Sequence, residues 1–102
     1  MTIVVEFALL PLGEGISVSE FLAEGLRELD KRGIEYIITP MGTIFEAEDM
    51  GSALELIGEA HEAVFQTGVK RVVTSITIDD RRDVDREMEE KVKSLKKSLG
   101  EK

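Results

Sequence analysis

The chain has 102 residues, 42% of them hydrophobic and 33% charged, with a formal net charge of −8 and no cysteine. That length supports one domain over 1–102 and not two. The lack of cysteine excludes a disulfide framework, a thiolate metal site and a cysteine nucleophile, and the acidic balance argues against nucleic acid, whose phosphates the surface would repel.

Residues 3–10 (IVVEFALL) are β-branched and aromatic and predict a strand that Pro11 closes. Gly13-Glu14-Gly15 reads as a loop. Ser17-x-x-Glu20 has the spacing of a capping box and predicts a helix start. Val18, Phe21, Leu22, Gly25, Leu26 and Leu29 then form one apolar stripe, which Gly33 ends. Tyr36-Ile37-Ile38 predicts a second strand, Pro40-Met41-Gly42 a turn, and residues 43–47 a third strand paired with the second as a hairpin. Asp49 or Ser52 caps the next helix, whose stripe is Ala53, Leu54, Ile57, Ala60, His61, Val64 and Phe65, up to Gly68. Residues 71–79 (RVVTSITID) predict a fourth strand. A last helix over about 84–99 carries a narrow stripe of Val84, Met88, Val92, Leu95 and Leu99 and stops at Gly100. No apolar run approaches the roughly 18 residues of a membrane span, and no basic segment precedes an apolar one at the N-terminus. A cytoplasmic protein without membrane partners is expected.

The order β-α-β-β-α-β-α predicts an α+β, ferredoxin-like domain: an antiparallel sheet of order 4-1-3-2 with two helices on one face, plus a C-terminal helix. Period-two alternation turns Ile3, Val5, Phe7 and Leu9 toward the helices, with Thr43, Phe45 and Ala47 and with Val72, Thr74, Ile76 and Ile78. The opposite, open face receives Val4, Glu6, Ala8 and Leu10, then Ile44, Glu46 and Glu48, then Val73, Ser75 and Thr77. Strand two stays ambiguous. Val4, Ala8, Leu10, Ile44 and Val73 form an apolar patch that predicts association with a second subunit's sheet, the last helix adding contacts. Glu6 and Glu46 sit in that patch on adjacent strands. Buried there, they need either a base from another subunit, such as Arg71 or Arg81, or a cationic or amidine-like ligand. Ser75, Thr77 or Thr43 would then add hydrogen bonds.

Catalytic chemistry finds little to work with. His61 is the only histidine and falls at the edge of a helix stripe, where a packed role is expected. Neither a zinc site nor a Ser-His-Asp triad assembles from one histidine and no cysteine. Gly13-Glu14-Gly15 lacks the spacing of a dinucleotide loop. Asp79, Asp80, Asp83 and Asp85 interleave with arginines, which predicts caps and surface pairs rather than metal ligands. No catalytic residue, metal or cofactor is predicted.

Several segments together resemble a family of small thiamine-binding proteins, long labelled a domain of unknown function. "PLGEGISVSEFLAEGL" is similar to its Pro-x-Gly-x-Gly-x-Ser-x-Ser segment, "YIITPMGTIFEAE" to its hairpin, and "GEAHEAVFQTGVKRVVTSITIDDRRD" to its second helix and following strand. One departure is Glu46-Ala47, where the family strand continues Glu-Gly; a methyl group there would narrow a pocket. The resemblance implies a homo-oligomer, often a tetramer, that binds thiamine or its hydroxymethylpyrimidine moiety without catalysis. It carries Ser17, Ser19, Thr43 and Glu46 over as ligand contacts, and parity adds Glu6. The competing readings are a structural or regulatory homo-oligomeric module with no small-molecule ligand, and an enzyme using Glu46 as general base.

Overall fold

The computed structural model describes residues 2–13, 18–83 and 88–100. In chain order these form β1 (Ile3–Pro11), α1 (Ser19–Lys31), β2 (Tyr36–Thr39), β3 (Gly42–Ala47), α2 (Met50–Phe65), β4 (Val72–Asp79) and α3 (Met88–Ser98). The strands make one antiparallel sheet of order β2-β3-β1-β4. This is the expected 4-1-3-2 order read from the other edge, and the fold is ferredoxin-like.

Alternation decides the core. Ile3, Val5, Phe7 and Leu9 are buried while the residues between them are not. Across β3, Val5 faces Phe45 and Phe7 faces Thr43, so all four share the helix-covered side. The Phe7 and Phe45 rings meet edge to face, centroids 5.8 Å apart and planes at 81°, an arrangement the ring quadrupole favours. Leu29 of α1 and Ala53, Leu56, Ile57, Ala60 and Val64 of α2 complete the layer. Register settles strand two. Tyr36 and Ile38 stand opposite Phe45 and Thr43 and belong to the helix side, whereas Ile37 stands opposite Ile44 on the open face.

One helix start and one stripe differ from expectation. The described α1 opens with Val18 at the N-cap and no side-chain cap bond. Glu20 is then the second helical residue, one short of the place a capping box requires, though still at the helix's positive end. Ser17 lies outside the described residues. At α2 it is Asp49 that caps, its Oδ1 accepting the Ser52 main-chain N–H at 2.7 Å. That bond holds the Asp49 carboxyl below its ordinary value. The buried α2 stripe includes Leu56 and leaves Leu54 exposed, because α2 rotates toward Ile34 and Phe45, beside which Leu56 lies.

The last helix is held mainly at its start. Lys91 pairs with Asp79, and Met88 and Glu89 share a hollow with Ile37 and Glu46. No α3 residue is buried, and Val92, Leu95 and Leu99 are exposed; Val84 lies outside the described residues. Among the described residues no helix is long and apolar enough to cross a membrane.

Candidate functional site

β1 outruns its neighbour. It has nine residues against six in β3, and their pairing ends at Phe7 and Thr43. On its other side β4 accompanies β1 as far as Pro11. The hairpin turns away at Pro40-Met41 and leaves a notch beside residues 8–10. There a cleft of about 400 Å³ opens, lined by Phe7 to Leu10 of β1, Leu22 and Leu26 of α1, Ile38 to Thr43 of the hairpin, and Val73 and Ser75 of β4. The volume is that of a small-molecule site, roughly 300–1,000 Å³. All of these lining residues are uncharged.

Local chemistry holds the hairpin tip in place. Thr39 Oγ1 accepts the N–H groups of Met41 and Gly42, both at 3.1 Å, and donates to the Gly42 carbonyl at 2.9 Å. A side chain here does the work of a main-chain turn bond, so this hydroxyl is already spent. Position 42 requires glycine for a different reason. A Cβ there would lie 2.8 Å from the Phe7 carbonyl oxygen, too close for the strands to pair. Met41 and Ile38 form an apolar rim, 81% and 67% exposed.

The predicted site residues divide between two faces of the sheet. Thr43 is 7% exposed and lines the cleft. No side-chain nitrogen or oxygen among the described residues is both sealed off and unpartnered. The Thr43 hydroxyl, unbonded within the described chain, therefore opens onto the cleft. Glu6 and Glu46 lie on the other face. Glu6 is exposed, but its Cγ comes within 3.5 Å of where a Cβ on Gly42 would stand, which places it beside the cleft rim. Glu46 is half-buried, accepts a hydrogen bond from Thr2 Oγ1 at 3.3 Å, and lines a separate hollow of about 420 Å³ with Glu35, Ile37 and Glu89. The expected mutual burial of the two carboxylates is thus absent within one chain, because the open face leaves Glu6 in water. Ser19 is exposed at the start of α1 and lines neither hollow.

Other candidates are used structurally. His61 Nδ1 is hydrogen-bonded to Thr74 Oγ1 at 2.6 Å, and its ring packs on Phe65. Within the chain Arg81 grips Asp83 and Arg82 grips Asp80. Asp85 lies outside the described residues. The Ala47 methyl packs against the core side and is not among the residues lining this cleft. Sequence reasoning missed the cleft walls contributed by Leu22, Leu26, Ile38 and Met41. The available signal was a long strand beside a short one entered through Pro-Met-Gly.

A family model described as thiamine-binding protein matches residues 5–96. The chain belongs to the thiamine-binding protein family. All the residues lining the cleft fall inside that span. A relative from Methanothermobacter thermautotrophicus, named UPF0045 protein, is 43% identical over 98 residues, covering 95% of this chain and 99% of its own. The crystal structure of a hypothetical protein from Methanocaldococcus jannaschii is 34% identical and superposes with a TM-score of 0.82, over 92% of this chain and 95% of that one. A Thermotoga maritima protein, provisionally assigned to thiamine biosynthesis or salvage, shares the fold with a TM-score of 0.77 at 22% identity, over 93% and 99% of the two chains.

Proposed function

We propose that this member of the thiamine-binding family binds thiamine or its hydroxymethylpyrimidine moiety in the cytoplasm without transforming it, the pyrimidine ring lying in the cleft at the end of β1. The observation that carries this reading is the cleft itself, uncharged and apolar with the Thr43 hydroxyl turned into it. A neutral aromatic ring loses little on leaving water, and one hydroxyl orients it. The cationic thiazolium would extend past the rim toward Glu6, favoured by the chain's net charge of −8. Among the described residues no lysine or arginine lines the cleft, which disfavours a terminal phosphate. Binding without catalysis is consistent with a sole histidine already engaged by Thr74.

A second copy of the chain covers the open face in this reading. Leu10, Ile37 and Val73 are exposed there, as is the apolar stripe of α3, and burying them favours an assembly such as a tetramer. Titration calorimetry with thiamine and with hydroxymethylpyrimidine tests the ligand; saturable heat is expected from both. Folded protein that gives no heat with either would remove the ligand and leave an assembly module. Native mass spectrometry tests the assembly, and a monomer at micromolar concentration would refute it.

A further inference from the structure

Strand parity fixes where each main-chain group of β1 points. Leu12 N–H donates to the Arg71 carbonyl at 2.9 Å, on the β4 side. Successive residues of a strand direct their N–H and C=O to opposite sides, so Leu10, Ala8 and Glu6 also address β4. Val5, Phe7 and Leu9 address β3. Val5 and Phe7 find Phe45 and Thr43 there. Leu9 lies one step past the last pair.

Met41 would stand opposite Leu9, but its N–H is given to Thr39 Oγ1. Among the described residues no main-chain bond beyond the strand ladders reaches Leu9. Pro11, the next residue of the same parity, has no N–H to offer. Leu9 therefore presents one donor and one acceptor, side by side, to the cleft that it lines. The residue is only 7% exposed. Facing the cleft, these groups are left to water when no ligand is bound, and a ligand that matches both replaces that water with two directed bonds.

We infer that the main-chain N–H and C=O of Leu9 are the specificity element of the cleft and read the edge of an aminopyrimidine. The ring nitrogen accepts from Leu9 N–H while the adjacent exocyclic amino group donates to Leu9 C=O. Thr43 supplies a further hydrogen bond, and Leu22 and Leu26 lie along the same cleft. The ligand class is a planar heteroaromatic with a ring acceptor next to an amino donor. This inference rests on the binding reading above and adds the atoms that discriminate.

The test uses the full-length ¹⁵N-labelled protein with three probes: hydroxymethylpyrimidine, thiamine, and the 4-oxo analogue of hydroxymethylpyrimidine. In the analogue a carbonyl replaces the amino group and the neighbouring ring nitrogen carries hydrogen, so donor and acceptor are exchanged. Hydroxymethylpyrimidine and thiamine should shift the Leu9 amide proton downfield and slow its exchange with solvent. The analogue, which mismatches both bonds, should bind weaker by about tenfold or more. Binding of the pyrimidine with an unchanged Leu9 amide, or equal affinity for the analogue, overturns the Leu9 assignment and leaves the binding reading standing. Failure of both pyrimidine and thiamine to bind overturns the two together.

Discussion

Glu6 and Glu46 lie diagonally across the β1–β3 pair, Glu6 facing Ile44 and Glu46 facing Val4. Diagonal neighbours are about 7–8 Å apart at the backbone, within reach of long side chains. Only Glu6 stands next to Gly42 and hence to the cleft. Glu6→Gln should weaken thiamine binding by about two- to fivefold, the range of an exposed charge contact. Glu46→Gln should do less, and neither should alter binding of the uncharged pyrimidine. Calorimetry at low and high salt reads both, because screening should erase the Glu6 effect. Equal losses from the two variants would place the cation elsewhere.

Thr43 separates ligand binding from stability. Its hydroxyl opens onto the cleft and is unbonded within the described chain, so Thr43→Val removes no internal hydrogen bond and adds a methyl to an apolar wall. Thermal melts should show equal or greater stability. Affinity for thiamine and for the pyrimidine should fall about fivefold, the worth of one hydrogen bond of about 1 kcal/mol. An unchanged affinity would remove Thr43 from the site.

Two glycines test the packing around the cleft. At Gly42 a Cβ would meet the Phe7 carbonyl oxygen at 2.8 Å, a main-chain atom held in the sheet. Gly42→Ala should cost about 1–3 kcal/mol in urea unfolding, as overpacking does. At Gly25 the nearest atom is Leu9 Cδ1, at 2.9 Å, the end of a side chain, and the Ala60 carbonyl oxygen and Val64 Cγ2 follow at a looser 3.1 Å. Gly25→Ala should cost less, because alanine recovers about 1 kcal/mol of helix propensity. The opposite ranking would mean that the α1 contact, not the hairpin, limits the fold.

Acid should expose the α2 cap. The main-chain bond from Ser52 lowers the folded Asp49 carboxyl below its ordinary 3.8. A lowered folded value contributes stability that is fully present above the unfolded value and lost as pH falls through the folded one. Asp49→Ala should therefore melt below the parent at neutral pH, with the gap closing below about pH 4. Asp49→Asn, which keeps a capping oxygen, should retain most of the stability and lose the pH dependence. A gap that persists under acid would mean the cap acts without its charge.

Fold class and the inward set of β1 were legible because they depend on local periods. Alternation alone separates Phe7 from Glu6, and three- and four-residue steps alone place Leu29 and Val64 inward. The same rules failed at Leu54 and Leu56, both apolar and two residues apart, because the rotation of a helix about its axis depends on what it packs against. They were silent on Ile37 and Ile38, which are chemically alike on opposite faces. Alternation also put Glu6 and Glu46 on one face without measuring how exposed that face leaves Glu6. The cleft was beyond local reading for another reason. It exists because β3 stops pairing at Thr43 while β1 continues to Pro11, and where two strands part is a property of their register. What the sequence by itself determined was the inward set of β1 and the order of elements. The tertiary structure decided which main-chain groups were left without a partner, since pairing is made between strands remote in the chain.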